Sequence, residues 1–468
     1  MTIELIGIIA LAVGVLSFFF DSSFVVYAFF AATLLGSAAA FVLDSLGGTN
    51  ISPAHLLLGF LAARLLRDRR IYQQSIEAIA PGRPGFWLLL AVTYSAISAF
   101  FLPRLFAGET FVFLVRSADS FSYPLAPVMS NLTQSIYLIA DCVCFILISG
   151  YAGRTDGRTT LINAAILSVI LNLFFAGLDV TTYATGTSDL MSFIRNANYS
   201  LLFDNEVAGI KRVVGSFIEA SSFASATLGY LAFSSTLWLL GVRPRLMSVL
   251  SLLSLCALVF STSSTGYGGL AAMLTIAYLA SLLVVMSRPA TTQMLSFVVA
   301  TPIILSIVFC VIALNDNYSA PVYNVLDETV FNKFSTASGV ERSSWNRQAL
   351  QVFVDTFGLG AGNGSLRASS FPLAVIGNLG IIGAVLFSLF FVGVFVGRKE
   401  DKSDPSHDAE RLAAKSACLA WLVTATLSGA LTDLGMPFFA FAAIACCRPA
   451  EEYSQTTSKV INLGFRAG

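Results

Sequence analysis

Apolar stretches of membrane-crossing length follow one another almost from end to end of this chain. A helix needs roughly 20 apolar residues to cross hydrocarbon. Runs at or near that length fall at about 3–20, 24–43, 53–66, 86–105, 131–150, 160–180, 217–240, 247–262, 266–287, 293–314, 372–397, 413–432 and 436–448. The third and the last are short, which leaves twelve or thirteen spans. Only 12% of residues are charged and 56% are hydrophobic, against about 25% charge in a soluble domain. A soluble enzyme on a single anchor is excluded. The expectation is an all-α polytopic membrane helix bundle forming a single integral membrane domain over 1–468. Net charge is zero, which implies no nucleic-acid partner.

Residues Met1 to Phe20 are apolar but lack a basic leading region and a small-residue cleavage site. They read as a retained helix rather than a signal peptide. Seven cysteines (Cys142, Cys144, Cys256, Cys310, Cys418, Cys446 and Cys447) all fall in or beside apolar spans. Neither a disulfide framework nor a zinc site fits them, and they read as small apolar packing residues.

Orientation follows from the basic loops. Arg64, Arg67, Arg69, Arg70 and Arg83 surround one; Arg154 and Arg158, Arg243 and Arg245, Arg288, the run from Arg398 to Lys415, and the tail 448–468 supply the others. With all of these cytoplasmic, 18 basic residues lie inside and nine outside, the 27 of the whole chain. The C-terminus is then inside; thirteen spans put the N-terminus outside and twelve put it inside. Two long loops, 181–216 and 315–371, fall on the outer side. Loops of this length in a compact domain are usually functional or disordered, and neither has the composition of disorder. In the second, Ala349, Leu350, Phe353, Val354 and Phe357 recur with helical spacing, which predicts an amphipathic helix lying at the membrane interface. No long internal repeat is evident.

Polar residues inside so apolar a chain mark candidate sites. In Arg212-Val-Val-Gly215-Ser216-Phe-Ile-Glu219-Ala-Ser221-Ser222-Phe223, helical spacing predicts one face carrying Arg212, Gly215, Ser216, Glu219 and Ser222. Arg212 at a helix N-terminus could bind an anion together with free backbone N–H groups, and Glu219 could orient it or accept a proton. The alternative is a snorkelling arginine paired to a carboxylate for stability. A second cluster, Glu341-Arg342-Ser-Ser-Trp345-Asn-Arg347, offers Arg342 and Arg347 for phosphate and Trp345 for a sugar ring; an interfacial belt of aromatic and basic residues is the alternative. The run Gly358-Leu-Gly360-Ala-Gly362-Asn363-Gly364-Ser365 could let backbone approach a ligand, with Gly362 and Asn363 foremost, or be a plain flexible loop. Ser261 to Gly268 reads as a tight hydroxyl-capped turn between spans. Asp141 lies mid-span, a proton-relay flag or one hydrogen-bonded carboxyl. The two histidines, His55 and His407, lie outside both long outer loops, so chemistry there rests on carboxylate, arginine and hydroxyl groups.

These clusters resemble the O-antigen polymerase/ligase superfamily, in its exopolysaccharide- and O-antigen-polymerase branch. The resemblance rests on RVVGSFIEASSF (212–223), STSSTGYGGL (261–270), ERSSWNRQAL (341–350) followed by FGLGAGNGS (357–365), and GNLGIIGAVLF (377–387). It covers roughly 205–395. It implies a bundle of the membrane glycosyltransferase (GT-C-like) type in a bacterial inner membrane. The implied activity is transfer of a growing glycan from undecaprenyl pyrophosphate onto a lipid-linked acceptor repeat unit at the periplasmic face. A chain-length regulator and a flippase are further implied partners. The family's functional arginines carry over to Arg212 and Arg342, with Arg347 beside them. The ligase branch has a histidine whose position falls at about Ser369 here, which favours a polymerase over an O-antigen ligase. Glu219 is the candidate base, and Ser216, Ser222 and Trp345 are candidate substrate contacts. No Asp-x-Asp motif stands in the outer loops, so neither metal nor other cofactor is expected. A polysaccharide-repeat flippase or other transporter is the rival, resting on Asp141.

Overall fold

The computed structural model describes residues 2–43, 48–115, 121–154, 156–197, 202–203, 206–207, 209–315, 319–320, 323, 327, 337–396 and 405–447. The predicted tail 448–468 lies outside them, as do Asp204 and most of 315–336. Among the described residues the fold is almost wholly helical. In chain order the helices are α1 (Leu5–Leu16), α2 (Ser22–Ala32), α3 (Pro53–Leu65), α4 (Arg69–Ala78), α5 (Pro84–Leu105), α6 (Met129–Ala152), α7 (Gly157–Ala184), α8 (Ala220–Leu239), α9 (Pro244–Phe260), α10 (Ser264–Ser287), α11 (Thr292–Ala313), α12 (Ala337–Asp355), α13 (Phe371–Phe395), α14 (Pro405–Ser428) and α15 (Met436–Ala445). Six of them (α5, α6, α7, α10, α11 and α13) are long and apolar enough to cross a membrane, and α1, α2, α3, α9 and α15 are shorter apolar helices. The chain is an all-α polytopic bundle.

Strands are few and short, and they mark one end of the bundle. β1 (Thr2–Ile3), β2 (Phe41–Leu43) and β3 (Thr49–Ile51) form an antiparallel sheet in the order β1-β2-β3. The second predicted span therefore ends early: helix stops at Ala32, and 41–43 is strand. β4 (Phe111–Val112) pairs with β5 (Tyr123–Pro124), and β6 (Glu206–Val207) with β7 (Ile210–Lys211).

Side-chain contacts sort the loops into two ends. At one, Arg64 donates to Phe20 O, Arg154 to Ser22 Oγ, and Arg158 pairs with Glu410 at 3.1 Å. Cys447 meets Ala152 O at the same end. At the other, Ser37 contacts Ser216 and Ile194, Ala39 N donates to Asn196, and Arg212 reaches Ser261 O. Helices α4 and α12 lie at the ends, and the remaining described helices alternate in direction between them.

The core is aromatic and closely packed. Trp421, Tyr230, Phe233 and Phe441 stack edge to face with centroids 5.0–5.7 Å apart in their closest pairings, a geometry the ring quadrupoles favour. All residues of α15 except Pro437 are buried. At ten residues it spans only about 15 Å, half the hydrocarbon thickness. Helix α13 is broken at Gly380 (φ 61°, ψ −158°). A break frees carbonyls, which hydrocarbon would leave unsatisfied. Here Gly377 O and Asn378 O accept from Ala361 N and Gly362 N, both at 2.8 Å. The glycine run thus seals the break.

Candidate functional site

The segment that carries Arg212 and Glu219 is an extended strap, not a helix. Helix α8 opens only at Ala220, with Glu219 at its N-cap in β conformation. The helical face expected for Arg212, Gly215, Ser216, Glu219 and Ser222 is therefore corrected. The physical reason is a competing set of hydrogen bonds. Val214 N and Gly215 N donate to Asp179 Oδ2 at 2.7 and 3.0 Å, and Val213 N donates to Phe260 O at 3.3 Å. Gly215 sits at φ +60°, where a side chain is disfavoured. Phe217 N then closes a turn onto Val214 O.

The strap presents some candidates and buries others. Arg212 is half-buried, and its Nε donates to Ser261 O at 3.4 Å. Glu219 does not cap α8 through its side chain and instead accepts from Ser221 Oγ. Ser216 is fully buried and points inward, donating to Leu34 O at 2.7 Å. Ser222 is half-buried in the first turn of α8. The 261–268 turn is present, with Ser263 Oγ accepting from Gly266 N.

Helix α12 brings in the second cluster. It begins twelve residues before Ala349, so Glu341, Arg342, Trp345 and Arg347 are helical and not a lead-in to the helix. Arg342 is half-buried and Arg347 exposed. Five residues apart, they stand about 140° apart around the axis and do not grip one point together. Trp345 is buried, and the Arg367 guanidinium lies 3.7 Å over its ring. That face of the tryptophan is held by a cation–π contact. Arg367 is placed by its own backbone, whose N donates to Phe113 O, and by Ser369 N donating to Asn346 Oδ1.

Arg212, Glu219, Arg342 and Arg367 thereby share one electrostatic neighbourhood. Burial pushes the Arg212 guanidinium below the usual arginine range; Glu219 and Tyr267 oppose that shift and Arg342 adds to it. Burial pushes Arg367 the same way, with Glu341 opposing, Arg342 adding and Glu219 opposing. Three guanidiniums face two carboxylates, Glu219 and Glu341, a surplus of one positive charge. Partly desolvated arginines close to each other are stabilised by an anion that takes them up together, and their planar forks suit phosphate oxygens.

The glycine run lies apart from this chemistry. Gly362, at φ +92°, approaches the protein's own backbone: a Cβ there would stand 2.6 Å from Ser98 O. Asn363 is fully buried; its Oδ1 accepts from Thr432 Oγ1 at 2.6 Å and its carbonyl from Asn131 Nδ2 at 2.7 Å. Two other carboxylates of the long loops are engaged within the protein: Glu206 accepts from Tyr183, and Asp355 from Thr110 and Gln351.

Three neighbours escaped the sequence reading: Arg367, Tyr267 and Asp179. Arg367 was legible as one of nine outer basic residues in a chain poor in charge. Asp179 was legible as a carboxylate in the last turns of an apolar span, the same signal that marked Asp141. Neither a protein-family model nor a curated protein matches this chain.

Proposed function

We propose that the chain is a polysaccharide polymerase, a membrane glycosyltransferase acting on undecaprenyl-pyrophosphate-linked oligosaccharide. What supports this reading is that Arg212 and Arg367, from separate segments, each lie within electrostatic reach of both Arg342 and Glu219 at one end of a membrane bundle. A pyrophosphate at the end of a lipid needs neutralising cations at the membrane surface, and a sugar acceptor needs a base beside them. The alternating helices then read as thirteen crossings, with the arginine end periplasmic and the basic-loop end cytoplasmic in a bacterial inner membrane.

In the transfer, an acceptor hydroxyl oxygen bonds to the anomeric carbon of the growing glycan. The bond from that carbon to the pyrophosphate oxygen breaks, and its electron pair leaves on the phosphate. Arg212, Arg342 and Arg367 neutralise the charge that grows there. The hydroxyl proton passes to Glu219. Holding both substrates in line supplies much of the rate. The test is purified protein in liposomes given undecaprenyl-pyrophosphate-linked oligosaccharide. Lengthened glycan is the expected product. Changed leaflet accessibility without lengthening indicates a carrier, and transfer only to a different acceptor lipid indicates a ligase; either outcome overturns the polymerase reading.

A further inference from the structure

Asp179 is 1% exposed in the last turns of α7. A carboxylate offers about four lone-pair sites, and four donors occupy them. Oδ1 accepts from Arg195 Nη2 at 2.6 Å and Lys211 Nζ at 3.4 Å. Oδ2 accepts from Val214 N at 2.7 Å and Gly215 N at 3.0 Å. The same donors brace the strap again. Arg195 Nη2 also donates to Gly215 O at 2.6 Å, and its guanidinium lies 4.4 Å over the Phe203 ring. Lys211 Nζ also donates to Phe203 O and to Arg212 O, at 2.6 and 3.1 Å.

Apart from the two contacts to Phe203, these contacts join Asp179 and Arg195 to residues beside Arg212. Lys211 precedes it and is tied to Arg212's own carbonyl, and Val214 and Gly215 follow it. Asp179 itself has no acceptor capacity left for a substrate proton or a metal. We infer that Asp179 is a positioning residue: it clamps the 211–215 strap so that the Arg212 guanidinium and Glu219 stand where the phosphate and the acceptor hydroxyl meet. This rests on the polymerase reading for what the strap is aimed at, but the clamp itself is a matter of contacts. It differs from a purely structural ion pair in acting through Arg212.

That difference is measurable. Asp179→Glu keeps the charge and both ion-pair partners but lengthens the side chain by one methylene, which displaces the strap. Binding of inorganic pyrophosphate to the purified full-length protein is measured for wild type, Asp179→Glu, Arg212→Ala and the double variant, beside each variant's melting temperature. Asp179→Glu is expected to weaken pyrophosphate about tenfold at near wild-type melting, and to add nothing on the Arg212→Ala background. The variant Lys211→Met, which removes one donor of the clamp while leaving Asp179, is expected to weaken binding in the same non-additive way. Independent, multiplying losses from Asp179→Glu and Arg212→Ala would overturn the positioning role. So would unchanged binding in Asp179→Glu while Arg212→Ala is impaired, an outcome that leaves the functional reading standing. Wild-type protein that does not bind pyrophosphate would overturn the polymerase reading, and the positioning role with it.

Discussion

At the scale of the residue, charge decides. Arg212→Ala and Arg342→Ala each remove a charge-assisted phosphate contact, which is worth about 1.5–3 kcal/mol. That corresponds to roughly tenfold to 150-fold in the rate of glycan lengthening, and Lys is expected to restore only part of it because it lacks the planar fork. Arg367→Ala is expected to lose comparably and to loosen Trp345, whose ring it covers. Near-normal polymer from Arg212→Ala and Arg342→Ala at matched protein level would reduce both to interfacial anchors. Glu219→Gln separates three roles. A base predicts collapsed turnover with donor affinity kept. A partner that aims Arg212 predicts a partial loss in both. A structural carboxylate predicts lowered melting, since Arg212 would lose its opposing charge. Wild-type values of turnover, affinity and melting together would remove Glu219 from the site. Arg212, Glu219 and Arg342 were legible because charge stands out in a chain this apolar. Asp179 carries the same lone-carboxylate signal as Asp141, but nothing local betrays that its four donors come from Arg195 and the strap.

At the scale of the element, hydrophobic period located the helices better than it located their ends. Runs at 131–150, 160–180 and 266–287 correspond to α6, α7 and α10. The segment 212–219 carries the same period but is not helix, because Asp179 takes the N–H groups that the first turn would need. Tertiary hydrogen bonds override local spacing there. A helix is present in the second loop, but its apolar residues divide between two sides. Ala349 and Val352 are buried against the bundle, while Leu350, Val354 and Phe357, the last 88% exposed just past the helix end, project outward. Spacing alone could not assign those sides, since the bundle and the bilayer interface both accept apolar groups. The glycine run was legible as a place of close backbone approach, but not what is approached. Gly362→Ala tests this. Its backbone conformation is sparsely populated for L-residues, a cost of about 1–3 kcal/mol, and the added methyl would press on Ser98 O. A lower melting temperature with normal donor affinity per folded molecule is expected. Wild-type melting with lost donor affinity would show that the glycine serves a ligand instead.

At the scale of the whole molecule, the contact network gathers the basic loops at one end of the bundle, and the proposed orientation rests on the charge rule that would place that end in the cytoplasm. The basic residues Arg64, Arg154, Arg158 and Arg243 belong to loops joined by contacts at one end. The arginine site stands at the other, together with β1 at residues Thr2 and Ile3, which pairs with β2 there. Two of the seven cysteines, Cys256 and Cys310, are exposed, so single-cysteine labelling belongs in a background where both are serine. In that background Ser338→Cys on α12 and Thr2→Cys on β1 are expected to react with a membrane-impermeant thiol reagent applied from the periplasmic side. Gln73→Cys on exposed α4 is expected to react only after the membrane is opened. Ser338 reactive with Thr2 protected would require an odd number of crossings between them, against the ten helices that alternate there, and would break the β1–β2 pairing that ties Thr2 to the site's end. Ser338 protected with Gln73 reactive would invert the molecule. The arginines would then face the cytoplasm, where no periplasmic acceptor reaches them, and the proposed transfer would fall with the topology.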